Sequence, residues 1–127
     1  KYPIYLTRDV NTARNWLREK AQGSELYGLT ASSGARRLRP EGLEVKRELE
    51  PDIWFLNGCE DVRSCQYLEQ VATEFDIQGL ELDWAAVCWD ADLRRDQGMW
   101  EYRRFMGTKW QKINKKPKAG KRAINPI

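Results

Sequence analysis

One stretch of the chain concentrates groups able to hold a phosphorylated ligand: "TEFDIQGLELDW", Thr73 to Trp84. Gly79 lets backbone come close to a ligand, because no Cβ stands in the way. Successive exposed N–H groups at such a turn suit phosphate or ribose oxygens. Two residues on, Glu81 carries a carboxylate that can accept hydrogen bonds from ribose hydroxyls. A second stretch, "LTASSGARR" (Leu29 to Arg37), offers Ser32, Ser33 and the Gly34 amide to a phosphate, and Arg36 or Arg37 to a nucleotide. A third concentration of charge is basic. Lys109, Lys112, Lys115 and Lys116 belong to a run of nine cations, free of acids, between Arg103 and Arg122. Up to Glu101 the balance is reversed, with 13 Lys and Arg against 19 acids. An acidic body thus carries a basic end, which suits either a phosphate-gripping segment or a charged connector.

Much other chemistry is excluded. There is no histidine, so neither Ser-His-Asp nor Cys-His catalysis is available. Cys59, Cys65 and Cys88 form no CxxC pair, which argues against zinc and against a disulfide framework. Reduced thiols in a cytoplasmic protein are the expected state. A Walker A loop needs Gly, four residues, then Gly-Lys-Ser/Thr. Gly23 and Gly28 have the right separation, but Leu29 stands where the lysine belongs. A metal-nuclease reading fails on order, since Pro51-Asp52 follows Glu44-Val45-Lys46 instead of preceding it. Glu81, Asp83, Asp90 and Asp92 flank one strand and read as solvated strand ends. No catalytic residue and no metal ligand is assigned. No apolar run approaches the ~18 residues of a membrane span, so no membrane partner is expected.

The elements that must position these groups alternate between helix and strand. After the short strand or lead-in "YPIYLT", Asp9 can cap a helix running to about Gln22, with Val10, Ala13, Trp16 and Leu17 on one face. Leu26 to Ala31 predicts a buried strand, and "ARRLRPEG" a short helix broken by Pro40. Ile53 to Leu56 reads as a strand or a loop with an aromatic anchor, and "CEDVRSCQYLEQ" has helical spacing. "QVATEF" is a strand candidate, and Trp84 to Trp89 reads as a central strand covered on both faces. "GMWEYRRFMGTKW" predicts one edge strand, and the residues after Trp110 a basic tail. This alternation implies an α/β fold with a mainly parallel sheet. Trp16, Trp84 and Trp89 are expected in the core. Trp100 and Trp110, among basic residues, are able to stack on bases but are expected to pack on the body.

The pattern from Thr73 through Gln78 and Gly79 to Glu81 resembles motif V of superfamily 1 helicases, T-x-H-x-x-[K/Q]-G-x-E, with Phe75 in place of the histidine. "YPIYLTRDVNTARNWL", "YGLTASSGARRLRPEG" and "VATEFDIQGLELDWAAVCWDADLR" together look like the carboxy-terminal part of a bacterial family, the Schlafen group 3-like DNA/RNA helicase domain. The resemblance covers most of residues 2 to about 112. It implies a RecA-like three-layer domain over residues 1–110, truncated at its carboxy end, with 111–127 as a basic tail or connector. It also implies an amino-terminal P-loop half as partner, with ATP and Mg2+ bound in the full-length protein and no tightly held cofactor in this chain.

The resemblance places Gln78, Gly79, Glu81, Arg36 and Arg37 near the nucleotide. It places Thr73, Phe75, Ser32 and Ser33 near DNA or RNA, expected to be single-stranded, and the charge of the basic end adds Lys109, Lys112, Lys115 and Lys116 to that set. In the family a helix resembling motif VI follows the basic link. The chain begins with Lys and so reads as an excised piece; it ends at "KAGKRAINPI" without that pattern, so either the piece stops short or this member diverges, and alone it is expected to be inactive. The alternative is a nucleic-acid-binding or protein-interaction module with no coupling to ATP.

Overall fold

The computed structural model describes residues 3–45 and 48–113. The chain divides into two units, Lys1–Asp90 and Ala91–Ile127. In the first, Asp9 starts helix α1 (Val10–Lys20) by accepting hydrogen bonds from the Asn11 and Thr12 amides and the Thr12 hydroxyl. Its partners there hold the Asp9 carboxyl below its usual pKa, the Thr12 hydroxyl contributing most. Leu17 is fully buried on the sheet side of this helix. Arg14 fixes the other edge, donating from Nε to the Leu68 carbonyl at 3.0 Å and from a terminal nitrogen to the Gly42 carbonyl at 2.8 Å.

Four parallel strands form the sheet of this unit: β1 (Tyr27–Ala31), β2 (Glu44–Val45), β3 (Gln70–Thr73) and β4 (Trp84–Cys88). Their order is β2-β3-β1-β4. Register pairs Leu29 with Val71 on one side and Ala86 on the other. Val71 in turn pairs with Val45. These side chains share one face, and Leu17 and Leu43 complete the cluster they form. On the opposite face Ala72 joins Trp54, Cys65 and Leu49 in a second cluster. The sheet is therefore packed on both faces across its middle strands. The 3-10 helix Arg36–Glu41 follows β1, helix α2 (Pro51–Leu56) precedes β3, and a 3-10 turn covers Cys65–Tyr67.

Four expectations are corrected in this unit. Pro40 sits inside the 3-10 helix and does not break it; Gly42, with φ +75°, ends it. Ile53 to Leu56 is neither strand nor loop. Pro51 at the first helical turn pre-sets the backbone, and α2 buries Trp54 completely. The helical spacing of Cys59 to Gln70 yields only turns and one 3-10 turn, because Asp61 bonds locally to Asn57 and Arg63 instead of leaving the backbone free to wind. Strand β4 lies at the end of the order among the described residues. Trp84, Ala86 and Cys88 pack on the core, whereas Val87 is 65% and Trp89 59% exposed, so Trp89 is not a core residue.

The second unit is an antiparallel sheet of β5 (Leu93–Asp96), β6 (Met99–Met106) and β7 (Lys109–Lys112). The single edge strand expected here is two strands, and β6 is the middle of three. Gly98 (φ +81°) and Gly107 (φ +61°) supply the left-handed turn residues that reverse the chain. Trp110 packs edge-on against Phe105, ring centroids 5.2 Å apart, with the Arg94 guanidinium 5.1 Å over its ring.

Candidate ligand cleft at the carboxyl ends of the parallel strands

Parallel strands point their carboxyl ends the same way, and ligands of open α/β sheets bind just beyond those ends. Here a cleft of about 460 Å³ lies at that edge, lined by Ser33, Arg36, Arg39, Val45, Thr73, Phe75 and Asp76. Each lining residue comes from the end of a strand or the segment after it: Val45 from β2, Ser33 and the two arginines from the connection after β1, and the rest from the end of β3.

The two loops are tied together. Glu74 accepts from the Ser33 amide at 2.7 Å and from the Ser33 hydroxyl at 2.8 Å. That pairing bridges 41 positions of sequence and holds the β1 and β3 loops at one spacing. Within the β3 loop, Asp76 accepts from the Thr73 amide at 2.8 Å and from the Thr73 hydroxyl at 2.6 Å. The Asp76 and Ile77 amides bond back to the Thr73 carbonyl at 3.0 and 3.2 Å. The result is a closed turn in which Thr73 is buried and Phe75 is 66% exposed at the rim. Within the β1 loop, the Gly34 amide donates to the Ser32 hydroxyl at 3.2 Å.

Chemically, the wall formed by Arg36 and Arg39 presents two exposed guanidiniums, whose planar forks suit phosphate oxygens. Phe75 offers an aromatic face beside them. The Thr73 hydroxyl spends its proton on Asp76, so toward a ligand it can act only as an acceptor while that bond holds.

The structure therefore brings together Thr73, Phe75, Ser33 and Arg36 of the residues singled out from the sequence. Ser32 does not line the cleft; its hydroxyl accepts from the Gly34 amide. Gln78, Gly79 and Glu81 are exposed farther along the loop and do not line this cleft. Gly79 adopts φ +82°, a left-handed conformation that favours glycine. Arg37 points elsewhere and pairs with buried Asp90 at 3.5 Å. Lys109 lies on β7, in the other unit. Lys112 is bonded to Glu101 through its Nζ. Lys115 and Lys116 lie outside the described residues.

Three contributors were missed: Arg39, Asp76 and Glu74. Arg39 stands in the same basic segment as Arg36, and three-residue spacing in a 3-10 helix puts the two on one side. Asp76 follows Thr73 by three positions, the spacing of a local side-chain turn. Glu74 carries no such local signal, because its partner is distant in sequence.

No group of three or more His, Cys, Asp or Glu among the described residues is placed to hold a metal ion. Likewise, no helix among them is long and apolar enough to cross a membrane.

A four-stranded parallel sheet and a three-stranded antiparallel sheet define a mixed α/β protein, with a cation-lined cleft at the carboxyl ends of its parallel strands. The family model for the Schlafen group 3, DNA/RNA helicase domain matches residues 1–125, and the chain belongs to that family. Neither the curated proteins nor the solved structures contain a match to it.

Proposed function

We propose that this chain supplies the second RecA-like part, over residues 1–110, of a superfamily 1-type helicase-like NTPase. In this reading it grips single-stranded DNA or RNA and senses nucleotide without cleaving it. The observation that carries the reading is the cleft itself: two loops locked by the Glu74–Ser33 pair, with Arg36 and Arg39 on one wall and Phe75 at the rim. Such a site matches a nucleic-acid backbone in charge and its bases in stacking. The family's name as a DNA/RNA helicase domain points the same way.

ATP with Mg2+, bound against an amino-terminal P-loop half, would supply the energy of phosphoanhydride cleavage. The chain's own contribution to that nucleotide is the exposed Gln78–Glu81 loop. Gly79 keeps its backbone approachable, and the Glu81 carboxylate is able to accept from ribose hydroxyls.

A second reading is favoured by one observation. Three of the nucleotide candidates, Gln78, Gly79 and Glu81, stand away from the cleft, and Arg37 is engaged with Asp90. A nucleic-acid-binding module without ATP coupling would look the same.

Two measurements separate them. The purified chain is expected to bind labelled single-stranded oligonucleotides, and Arg36→Ala with Arg39→Ala to weaken that binding by about 2–4 kcal/mol in total, the scale of two charged hydrogen-bonding groups. Wild-type affinity in the double variant would remove the cleft from the account. With the P-loop half present, Glu81→Ala is expected to weaken nucleotide binding by about 1–2 kcal/mol. No change there, with oligonucleotide binding intact, would favour the uncoupled module.

A further inference from the structure

The three-stranded sheet of the second unit sorts its side chains by face. Because partners in register share a face, the ladder assigns each one. One face carries Arg94 with Glu101, Arg103 with Lys112, and Phe105 with Trp110. With Asp96 opposite Met99, its charges are largely neutralised, three cations against two carboxylates: Glu101 accepts from Arg103 at 2.8 Å and also from Lys112, and Asp96 lies 4.0 Å from Arg103. Those cations hold the Glu101 carboxyl below its usual pKa, Lys112 contributing most.

The other face carries Arg95 with Trp100, Tyr102 with Leu93, Arg104 with Gln111, and Met106 with Lys109. Among these strand residues it holds three cations and no carboxylate. Along β6 the exposure alternates accordingly, with Trp100 58% and Tyr102 50% exposed while Glu101, Arg103 and Phe105 are half-buried.

We infer that this second face is a stacking platform for single-stranded nucleic acid, a site separate from the strand-end cleft. Trp100 and Tyr102 stand two residues apart on one strand, about 7 Å along it, so each can take one base. Arg95, Arg104 and Lys109 frame them with positive charge for the flanking phosphates. Charge complementarity selects this occupant, because three cations without a carboxylate beside two exposed aromatic rings suit a polyanionic strand that carries bases to stack. The two rings select single strands over duplex, whose bases are already stacked on each other. The platform takes only its ligand class from the reading given above; none of its residues belongs to the cleft.

The test is fluorescence anisotropy of the full chain with labelled single-stranded DNA, single-stranded RNA and duplex DNA across a salt series, with tryptophan quenching as a second readout. Trp100→Ala is expected to weaken single-strand binding about 5- to 150-fold, the range for losing one base stack. Trp100→Phe is expected to retain most of the affinity. Arg95→Gln with Arg104→Gln should reduce the slope of log K against log salt by about 1.4, roughly 0.7 for each phosphate left without its cation. Arg94→Gln, on the largely neutralised face, should leave affinity within about twofold of wild type.

Circular dichroism of each variant checks that the sheet still forms; if Trp100→Ala unfolds it, the paired arginine variant decides, together with the quenching lost in Trp100→Phe, which removes this one indole of six. Loss of binding in the Arg36/Arg39 variant with none in the platform variants would overturn the platform and keep the cleft, and the reverse pattern would do the opposite. Equal affinity for duplex would also overturn it, as would a change in oligomeric state on Trp100→Ala, which would make the face a contact between copies of the chain.

Discussion

Gly28 sits in the middle of β1 with no room for a side chain. A Cβ there would meet the Trp54 ring at 2.9 Å and the Cys65 Cβ at 3.2 Å. In the sequence this residue occupies the second glycine of an incomplete phosphate loop; in the fold it is a packing residue that lets an indole lie close against the sheet. Gly28→Ala is therefore expected to destabilise the protein by about 1–3 kcal/mol, the usual cost of overpacking a core. Urea denaturation measures it, and an unchanged midpoint would mean that Trp54 has space to move. At the same scale, Trp54 satisfies its indole N–H on the Gln70 carbonyl at 3.3 Å, so this large ring is buried without an orphaned donor.

Elements decide the reactivity of the three cysteines. Cys59 is exposed in the turns after α2, Cys65 is fully buried in the 3-10 turn, and Cys88 ends β4 with its side chain toward the core. Burial pushes both the Cys65 and the Cys88 thiols up, which lowers their thiolate fraction at neutral pH. Labelling of the native chain with iodoacetamide is expected to modify Cys59 first, and all three equally in urea. Equal rates at the three sites under native conditions, read by mass spectrometry, would contradict this assignment of burial. The start of β1 shows similar control by neighbours. Asp83 accepts from the Leu26 amide at 2.7 Å, and Glu25 accepts from the Trp84 indole at 2.9 Å. The two strands are thus set in register before the ladder begins.

For the whole molecule, pH dependence follows from which groups titrate. With no histidine, no side chain of ordinary pKa changes charge between about pH 5 and 7. Asp9, Asp61 and Glu101 are all held below their usual values, Asp61 furthest, mainly by the Arg63 guanidinium. A depressed folded pKa contributes stability that is complete above the unfolded value, near 4, and is lost as pH falls toward the folded value. The melting temperature is therefore expected to be flat from about pH 7 to 5 and to drop below about 4.5. Asp61→Asn should drop less steeply over that acid range. A melting curve for this variant parallel to wild type down to about pH 2 would show that the Asp61–Arg63 pair contributes nothing to the acid response.

The sequence by itself determined the elements whose signals are local. Asp9 as a cap, the 10, 13, 16/17 spacing of α1, and the β-rich runs of β1 and β3 are read within a few residues of each other. It placed part of the cleft's lining too, since Thr73, Phe75, Ser33 and Arg36 meet where strand ends must put them. Only tertiary structure decided what depends on distant partners. Trp84 to Trp89 is as apolar as a central strand, yet its order in the sheet leaves it at the end, and period-two alternation then turns Val87 and Trp89 outward. The Glu74–Ser33 tie and the Arg37–Asp90 pair join segments far apart in the chain, so no spacing reveals them. The same holds for the second unit. One stretch of mixed aromatics and cations becomes a largely neutralised face and a cationic one only when register puts Lys112 opposite Arg103, within reach of Glu101, and leaves Arg104 opposite Gln111.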